Sequence, residues 1–217
     1  RPYVTLKLAL SKDAKVGLAG RKPVAITGEP ARSRVFQLRA QSDAILVGIG
    51  TVLADNPHLT CRLPGMDERS PVRVVLDAQL RLPLATAVVA TVRETPTWVF
   101  TSRKPSHIAE EILQQKGCKV FRVDERNGKL DLDAVLKILA EQGITRLMVE
   151  GGPTVAASFV GADLVDEAVL LRADKSIGDD GIDALEGMPL GALNEHLQAR
   201  GSERLGADRL ETFERVS

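Results

Sequence analysis

Short, nearly uninterrupted apolar runs at spaced intervals constrain the fold of this chain more than any other feature. They are Ala44–Val47, Val72–Leu76, Thr97–Thr101 and Arg146–Val149. Runs of this length and composition are typical of parallel strands that are buried on both faces of a sheet. Segments with helical signals separate them. This alternation predicts an α/β fold with a mostly parallel central sheet flanked by helices.

The helical segments are recognised by their caps and by their apolar period. Asp131 is a favourable N-cap residue, and it precedes Leu132, Val135, Leu136 and Leu139, which recur at helical spacing. The other predicted segments are a strand at Tyr3–Ala9, a loop at Ser11–Val24, a helix that starts at Thr27–Pro30, a helix at Ser106–Lys116, strands at Lys119–Val123 and Glu167–Arg172, a short helix up to Val160, a loop-rich tail at Asp174–Gly206 and an antiparallel edge strand at Asp208–Val216.

Size and charge narrow the class of protein. The 217 residues are enough for one α/β domain, and we expect a single domain over residues 1–217. The 29 basic and 29 acidic side chains balance, which argues against a nucleic-acid or membrane-surface partner. The longest apolar run, Ala44–Ala54, has about half of the roughly 20 residues that a membrane-spanning helix needs.

The cysteines and histidines form no metal or disulfide pattern. Cys61 and Cys118 are far apart and the histidines are scattered, so we expect a reduced, cytoplasmic location and no metal site. A zinc deaminase needs an H-x-E and a P-C-x-x-C segment, which this chain lacks. Because the chain starts without Met, we expect it to be the C-terminal part of a longer chain.

The sharpest local signal for a ligand site is the segment Leu147–Thr154. A buried strand runs into Gly151 and Gly152, and a helix follows whose first turn carries Pro153. Glycines allow close approach to the backbone, and a helix N-terminus offers free N–H groups and a partial positive charge, which suits a phosphate. The same residues also fit a plain strand–helix turn, and the pattern is neither G-x-G-x-x-G nor a P-loop.

A second candidate segment, Gly48–Arg62, begins at the carboxyl end of a predicted buried strand, where open α/β sheets bind ligands. It offers a hydroxyl at Thr51, a carboxylate at Asp55 and a guanidinium at Arg62. The alternative is that Asp55 belongs to an ordinary turn and that Arg62 is a solvated charge. Taken alone, this segment leaves both interpretations open.

Five segments carry a family resemblance. They are Arg1–Lys7, Leu38–Ala44, Gly50–Pro57, Leu59–Arg62 and Val149–Thr154. In order and spacing they resemble the reductase domain of the bacterial riboflavin-biosynthesis deaminase–reductase, over about residues 1–172. That family has a dihydrofolate reductase-like fold. The resemblance implies reduction of 5-amino-6-(5-phosphoribosylamino)uracil to 5-amino-6-(5-phosphoribitylamino)uracil with NADPH as the hydride source.

The resemblance also implies which residues contact each ligand. Those implied to contact NADPH are Thr51, Asp55, Gly152, Pro153, Thr154, Val155, Ala156, Ala157 and Ser158. Those implied to contact the substrate are Arg39, Leu59, Arg62 and Glu150. The residue types are suitable, because an arginine fork pairs two phosphate oxygens and a carboxylate accepts hydrogen bonds from a uracil or a sugar.

Asp55 is the candidate for the catalytic proton donor. Hydride delivery to the sugar C1′ requires a proton for the ring oxygen as the furanose opens. Asp55, or a water molecule that it holds, is positioned in the sequence to supply that proton.

Two departures from the family pattern bear on the cofactor. Pro23 and Ala25 stand where the family often has a polar residue and Trp, so a ring contact to the cofactor is lost or replaced. Ala78 stands where the family often has Ser. A 2′-phosphate bound nearby would then depend more on other side chains, namely Arg81, Ser102 and Arg103.

We also expect a homodimer, and a zinc deaminase domain ahead of this segment in the parent chain. Two other functions stay open. A related NADPH reductase of a pteridine-like substrate would leave Arg39 and Arg62 solvated. A non-catalytic nucleotide-binding module would bind NADPH without oxidising it.

Overall fold

The computed structural model describes residues 1–18 and 26–216, and it divides into two compact units. The mid-chain unit comprises Arg1–Pro2 and Arg39–Leu147, and the terminal unit comprises Tyr3–Leu38 and Met148–Ser217. The prediction of a single domain over residues 1–217 stays a prediction. The departures at Pro23 and Ala25 lie outside the described residues.

The elements of the described residues are as follows. The strands are β1 (Tyr3–Leu10), β2 (Lys15–Leu18), β3 (Ala44–Gly48), β4 (Val72–Leu76), β5 (Thr97–Thr101), β6 (Lys119–Arg122), β7 (Glu125–Arg126), β8 (Lys129–Leu130), β9 (Arg146–Val149), β10 (Glu167–Arg172), β11 (Gly181–Asp183), β12 (Leu197–Leu205) and β13 (Asp208–Arg215). The helices are α1 (Glu29–Ala40), α2 (Ile49–Asp55), α3 (Ala87–Ala90), α4 (His107–Lys116), α5 (Leu132–Glu141) and α6 (Pro153–Gly161), with 3₁₀ turns at Asp67–Arg69 and Leu190–Glu195.

The mid-chain unit is built on a parallel sheet in which β3, β4, β5 and β6 pair in sequence order. Val47 pairs with Val75, and Val75 pairs with Val99, and all three side chains are buried. They pack in one cluster with Val52 of α2 and Val88 of α3. Full burial of each such side chain contributes about 1.5–3 kcal/mol, so this cluster fixes the strand ends from which the loops depart.

The terminal unit combines parallel and antiparallel pairing. β1 pairs with β10 in parallel, β10 pairs with β13 antiparallel, and β13 pairs with β12 antiparallel. Helix α1 packs Ala31 and Val35 against Met148, Val169 and Leu171. The fold class predicted from the sequence, a mostly parallel sheet with an antiparallel C-terminal part, is therefore confirmed.

Local sequence signals located most elements correctly. The bounds of β4 and β5 are those predicted. The predicted cap at Asp131 is present, because its side chain accepts from Asp133 N and Ala134 N. Ser106, at the predicted start of the preceding helix, is its N-cap residue and accepts from Ile108 N.

Three predictions about the outer strands were wrong. The predicted loop Ser11–Val24 contains β2, which pairs with β11 far along the chain. The predicted loop-rich tail contains the nine-residue β12, whose polar, exposed residues show no alternation. β13 is not the edge strand, because it lies between β10 and β12. β2 exists because its backbone pairs with the distant strand β11, whereas β12 pairs with β13, the next strand along the chain. Local periodicity registers neither kind of backbone pairing.

Candidate functional site

In the mid-chain unit, the candidate site residues follow the buried strand β3. Helix α2 begins directly after Gly48, which adopts an extended conformation and offers no side-chain cap. Thr51 lies in the first turn of α2, and Asp55 is its last residue. Asn56 ends the helix in a left-handed conformation with φ 42°, and its N–H donates to the carbonyl of Val52. The strand thus delivers Thr51 and Asp55 on one short helix.

Asp55 has the environment of a potential proton donor. The residue is exposed at the surface, yet partial burial of the carboxyl raises the pKa of Asp55 above its ordinary value. A raised pKa increases the protonated fraction near neutral pH, which is what a general acid requires.

Residues 56–62, which we call the substrate loop, are held by side chains from elsewhere in the mid-chain unit. Arg39 Nη1 donates to the carbonyl of Thr60 at 3.0 Å. The N–H of Cys61 donates to Ser70 Oγ at 3.1 Å. Leu59 is buried and has φ 57°, a left-handed conformation that a leucine adopts only when its surroundings fix it. The structure therefore places Arg39 in contact with the substrate loop, of which Leu59 is a part.

The predicted substrate residues of this unit differ in what they present to a ligand. Leu59 packs in the core cluster with Val52 and Val75, so its side chain faces the interior. Arg62 is exposed at the end of the loop. Arg62 is thus accessible to a ligand, and the roles of Arg39, Leu59 and Arg62 as substrate contacts stay predictions.

In the terminal unit, the segment after β9 forms the strand–helix turn that the sequence predicts. A Cβ at Gly151 would lie 2.6 Å from Cβ of Val155, so the turn has no room for a side chain there. Gly152 is the N-cap of α6 and supplies no side-chain acceptor, and Pro153 occupies the first helical position. We call residues 150–155 the glycine turn.

The first turn of α6 provides backbone donors for an anion. The N–H groups of Thr154 and Val155 belong to the first turn, where a helix has no internal acceptor, and the N-cap residue Gly152 has no side chain that could cap them. The helix dipole adds a partial positive charge at this end. The turn is held from outside by Glu186, whose N–H donates to the carbonyl of Pro153 at 3.2 Å.

Later residues of the predicted cofactor loop point elsewhere. Ala156 and Ala157 are buried, and Ser158 Oγ donates to the carbonyl of Thr154 at 2.8 Å. The geometry therefore favours Gly152 and the first turn over the second turn as the ligand-facing part. The assignment of all seven residues to the cofactor stays a prediction.

Lys7 lies beside the candidate site residue Glu150, and the sequence reasoning did not single it out. Its Nζ lies 3.5 Å from Oε2 of Glu150, and the two side chains are only 14% and 9% exposed. A partly buried ion pair of this kind holds the carboxylate in one orientation. The available signal was a cation within the alternating strand β1, but its partner comes from a distant segment.

The region after β4 and β5 contains the residues considered for a 2′-phosphate. Ser102 is buried, and its Oγ donates to the carbonyl of Ala78 at 2.9 Å. Arg103 is exposed and pairs with Asp124 at 2.6 Å, and this hydrogen bond raises the pKa of Arg103 above its ordinary value. Arg81 is exposed. The two arginines are therefore better placed than Ser102 to meet a phosphate.

Comparison with solved structures defines the class of fold. The chain is similar to a dihydrofolate reductase from Enterococcus faecalis, with a TM-score of 0.56 and 12% identity over 99% of this chain and 97% of that one. It is more similar to Acinetobacter baumannii RibD, with a TM-score of 0.84 and 26% identity over all of this chain and 58% of that one. The fold is thus that of dihydrofolate reductase-like α/β proteins.

Within that class, the chain belongs to the RibD C-terminal domain family, whose model matches residues 2–210. It is 39% identical to the riboflavin biosynthesis protein RibD of Bacillus amyloliquefaciens, over 95% of this chain and 56% of that protein. It is also 39% identical to a 2,5-diamino-6-ribosylamino-4(3H)-pyrimidinone 5′-phosphate reductase of Archaeoglobus fulgidus, over 77% of this chain and 78% of that protein. The predicted family of riboflavin-pathway reductases is thereby confirmed.

The chain spans about half the length of the RibD proteins that it matches. Among residues 1–18 and 26–216, no helix has both the length and the hydropathy needed to cross a membrane. Within the same ranges, no three His, Cys, Asp or Glu side chains gather as a metal site would require.

Proposed function

We propose that this chain reduces 5-amino-6-(5-phosphoribosylamino)uracil to its ribitylamino counterpart, with NADPH as the hydride source. Membership of the RibD C-terminal domain family supports the reaction class. The observation that carries the cofactor assignment is the glycine turn. There a strand is followed by Gly151, which has no room for a side chain, and by a helix whose N-cap residue offers no side-chain acceptor. That arrangement suits the phosphates of a dinucleotide.

The residues present fit a nicotinamide dinucleotide. Thr154 and Val155 would donate their N–H groups to the pyrophosphate, and Gly152 leaves the approach to them open. When bound, the nicotinamide supplies the hydride, and the protein supplies position and exclusion of water. Arg81 and Arg103 would bind a 2′-phosphate and so favour NADPH over NADH.

Charged side chains would hold the substrate. Arg62, exposed at the end of the substrate loop, would pair with the ribose phosphate. Glu150 would accept hydrogen bonds from N–H groups of the pyrimidine or from sugar hydroxyls, and Lys7 would keep its carboxylate oriented.

Asp55 would supply the proton for the ring oxygen as the furanose opens. Partial burial raises the pKa of its carboxyl and so favours the protonated form that a proton donor needs, and its position at the end of α2 leaves the carboxyl accessible. After the proton is transferred, the carboxylate is exposed to solvent and can be reprotonated from water.

The parent protein and its assembly are part of the same proposal. The relatives named RibD are longer than this chain, which supports a parent chain with a zinc deaminase domain ahead of this segment. We further propose that the protein forms a homodimer in the cytoplasm. Analytical ultracentrifugation of the segment tests the dimer, and a monomer at micromolar concentration would refute it.

The direct test is NADPH oxidation, followed at 340 nm, with the purified segment and the phosphoribosylaminouracil. We expect turnover with NADPH and at least tenfold lower efficiency with NADH, because one charge-assisted phosphate contact contributes about 1.5–3 kcal/mol. NADPH binding without oxidation would instead support a non-catalytic nucleotide-binding module.

A second candidate substrate is the amino precursor that has not been deaminated. The 39% identity to the archaeal reductase, whose name specifies a diaminopyrimidinone phosphate, favours it. The same assay with both compounds, and with a pteridine lacking phosphate, separates these possibilities. Equal turnover of the phosphate-free pteridine would overturn the role of Arg62 and the substrate class together.

A further inference from the structure

The short helix α3 is capped at its N-terminus by a residue of the substrate loop. The N-cap residue of α3 is Thr86, but its hydroxyl donates to the carbonyl of Pro83 at 2.7 Å and caps nothing. Instead, Oδ1 of Asn56 accepts from the N–H of Ala87 at 2.8 Å. A side chain that immediately follows Asp55 therefore takes the place of the missing local cap.

The other end of α3 is held by a buried guanidinium. Arg73 of β4 is fully buried and donates to Oγ1 of Thr91 at 2.8 Å, to the carbonyl of Thr91 at 3.1 Å and to the carbonyl of Thr95. Arg73 also reaches the carbonyl of His58 in the substrate loop at 3.4 Å. Both ends of α3 are thus bonded to groups that contact this loop.

Arg73 makes this support rigid. Among the described residues no carboxylate forms an ion pair with it, and burial lowers the pKa of Arg73 to about 10. The guanidinium stays charged at neutral pH and depends on the carbonyl groups around it for compensation. Displacement of α3 would break the hydrogen bonds of the buried guanidinium and leave its charge uncompensated. Because Val88 and Val89 are also buried in the core, we expect the helix to stay in place.

We propose that Asn56 is a positioning residue for the reaction, which fixes Asp55 and the substrate loop by bonding them to α3. The proposal rests on the proposed function, because it assigns Asp55 and Arg62 to the substrate. Asn56 touches no reacting atom. It acts through its left-handed backbone, which ends α2 at Asp55, and through its amide oxygen, which is bonded to Ala87.

The test removes this hydrogen bond from either side. Asn56→Gly keeps the left-handed backbone and deletes the acceptor. Ala87→Pro deletes the donor at a first helical position, where proline is well accommodated. We expect kcat to fall about tenfold in each variant, since small displacements of a catalytic group are costly. The NADPH dissociation constant should stay within about twofold, and the double variant should lose no more than either single one.

Thr86→Val is the matched control, because it removes a hydroxyl bond at the same helix end without reaching the substrate loop. We expect it to lower thermal stability and to leave kcat within about twofold of wild type. Additive losses in the double variant, an equal kcat loss in Thr86→Val, or a wild-type kcat in Asn56→Gly would each overturn the proposal.

A readout that needs no turnover separates this proposal from the proposed function. Amide hydrogen exchange of residues 58–62 should accelerate about tenfold in Asn56→Gly and stay unchanged in Thr86→Val. If the wild-type chain reduces no candidate substrate, the proposed function fails, while the exchange rates still decide whether Asn56 holds the loop. Unchanged exchange in Asn56→Gly would refute the positioning role by itself.

Discussion

The substrate loop and the glycine turn are built in opposite ways. Residues 56–62 are held by side chains that reach them from other segments, namely Arg39, Ser70 and Arg73. The glycine turn instead relies on backbone groups and on the absence of a side chain, since Gly151 has no room for one and Gly152 offers no cap. Side chains from other segments hold the substrate loop, whereas the glycine turn depends on two positions that have no side chain.

The difference teaches which substitutions are informative. Truncating side chains should impair the substrate loop, because its contacts disappear with them. In the glycine turn the donors are N–H groups of Thr154 and Val155, which only proline would remove, so among other substitutions only added bulk should impair cofactor binding there. The comparison would fail if truncating a side chain of the substrate loop left activity unchanged. It would also fail if truncating a side chain in the first turns of α6 weakened cofactor binding.

The largest effect is expected for Asp55→Asn. The substitution keeps size and hydrogen bonding but removes the ionisable group, and general acid catalysis is worth about 10²–10⁴ in rate. We expect a turnover loss in that range with near-normal binding of both ligands. The donor is the protonated form, and burial raises the pKa of Asp55 above its ordinary value. Wild-type turnover should therefore fall as the pH rises through the pKa of this carboxyl, and the variant should lose this dependence.

If Asp55 only ends helix α2, the asparagine should replace it well. Turnover would then stay within about threefold of wild type, since Asp and Asn have similar preferences at helix ends. That result would remove the proton-donor role and leave the reductase assignment intact. The pH–rate profile of wild type, measured under single-turnover conditions, keeps chemistry separate from product release.

The second largest effect is expected for Arg62→Ala. A charge-assisted contact to the ribose phosphate is worth roughly 1.5–3 kcal/mol, so the Michaelis constant for the substrate should rise about tenfold or more. The NADPH dissociation constant should barely change. Arg69→Ala, at an exposed arginine in the nearby 3₁₀ turn, is the matched control for loss of one surface charge. The reverse pattern would assign Arg62 to the cofactor's 2′-phosphate.

An intermediate effect is expected for Gly152→Val, which adds bulk where the phosphates approach. A helix N-terminus contributes about 1 kcal/mol to anion binding, so NADPH affinity should fall about fivefold. The backbone at Gly152 is extended, so thermal stability should change little. Titration followed by the fluorescence of NADPH itself measures the binding.

Gly151→Ala serves as the contrast, because its Cβ would meet Val155 and lower stability in the absence of any ligand. Adding Val155→Gly, which removes the Cβ that the new methyl group would meet at 2.6 Å, should recover part of the lost stability. Unchanged NADPH affinity in a folded Gly152→Val variant would remove the glycine turn from the cofactor site.

The comparison also explains how far the sequence could predict this molecule. The glycine turn was recognisable because strand, glycines and helix are contiguous, and the caps at Ser106 and Asp131 are local for the same reason. The support of the substrate loop was not recognisable. Its bonds join Asn56 to Ala87 and His58 to Arg73, residues that no local period relates.

The same reasoning applies to the strands. Buried runs such as Val72–Leu76 predicted their own bounds, because burial on both faces leaves a continuous apolar signature. β12 is polar and exposed, and it is a strand only because β13 offers its backbone. Lys7 was missed for a related reason, since its significance depends on Glu150, which follows a strand far along the chain.

The smallest effect is expected for Ser158→Ala, in the second turn of α6. The hydroxyl of Ser158 donates to the carbonyl of Thr154 within its own helix, and that bond contributes little because the carbonyl belongs to the helix ladder. Alanine is the best helix former, so stability should be unchanged or slightly higher. If the glycine turn binds the cofactor through backbone groups, the NADPH dissociation constant should change by less than about twofold, against about fivefold for Gly152→Val. Titrations of both variants under one condition check the ratio. Weakening by more than fivefold in Ser158→Ala would show that a side chain contacts the cofactor, and the contrast between the two regions would then fail.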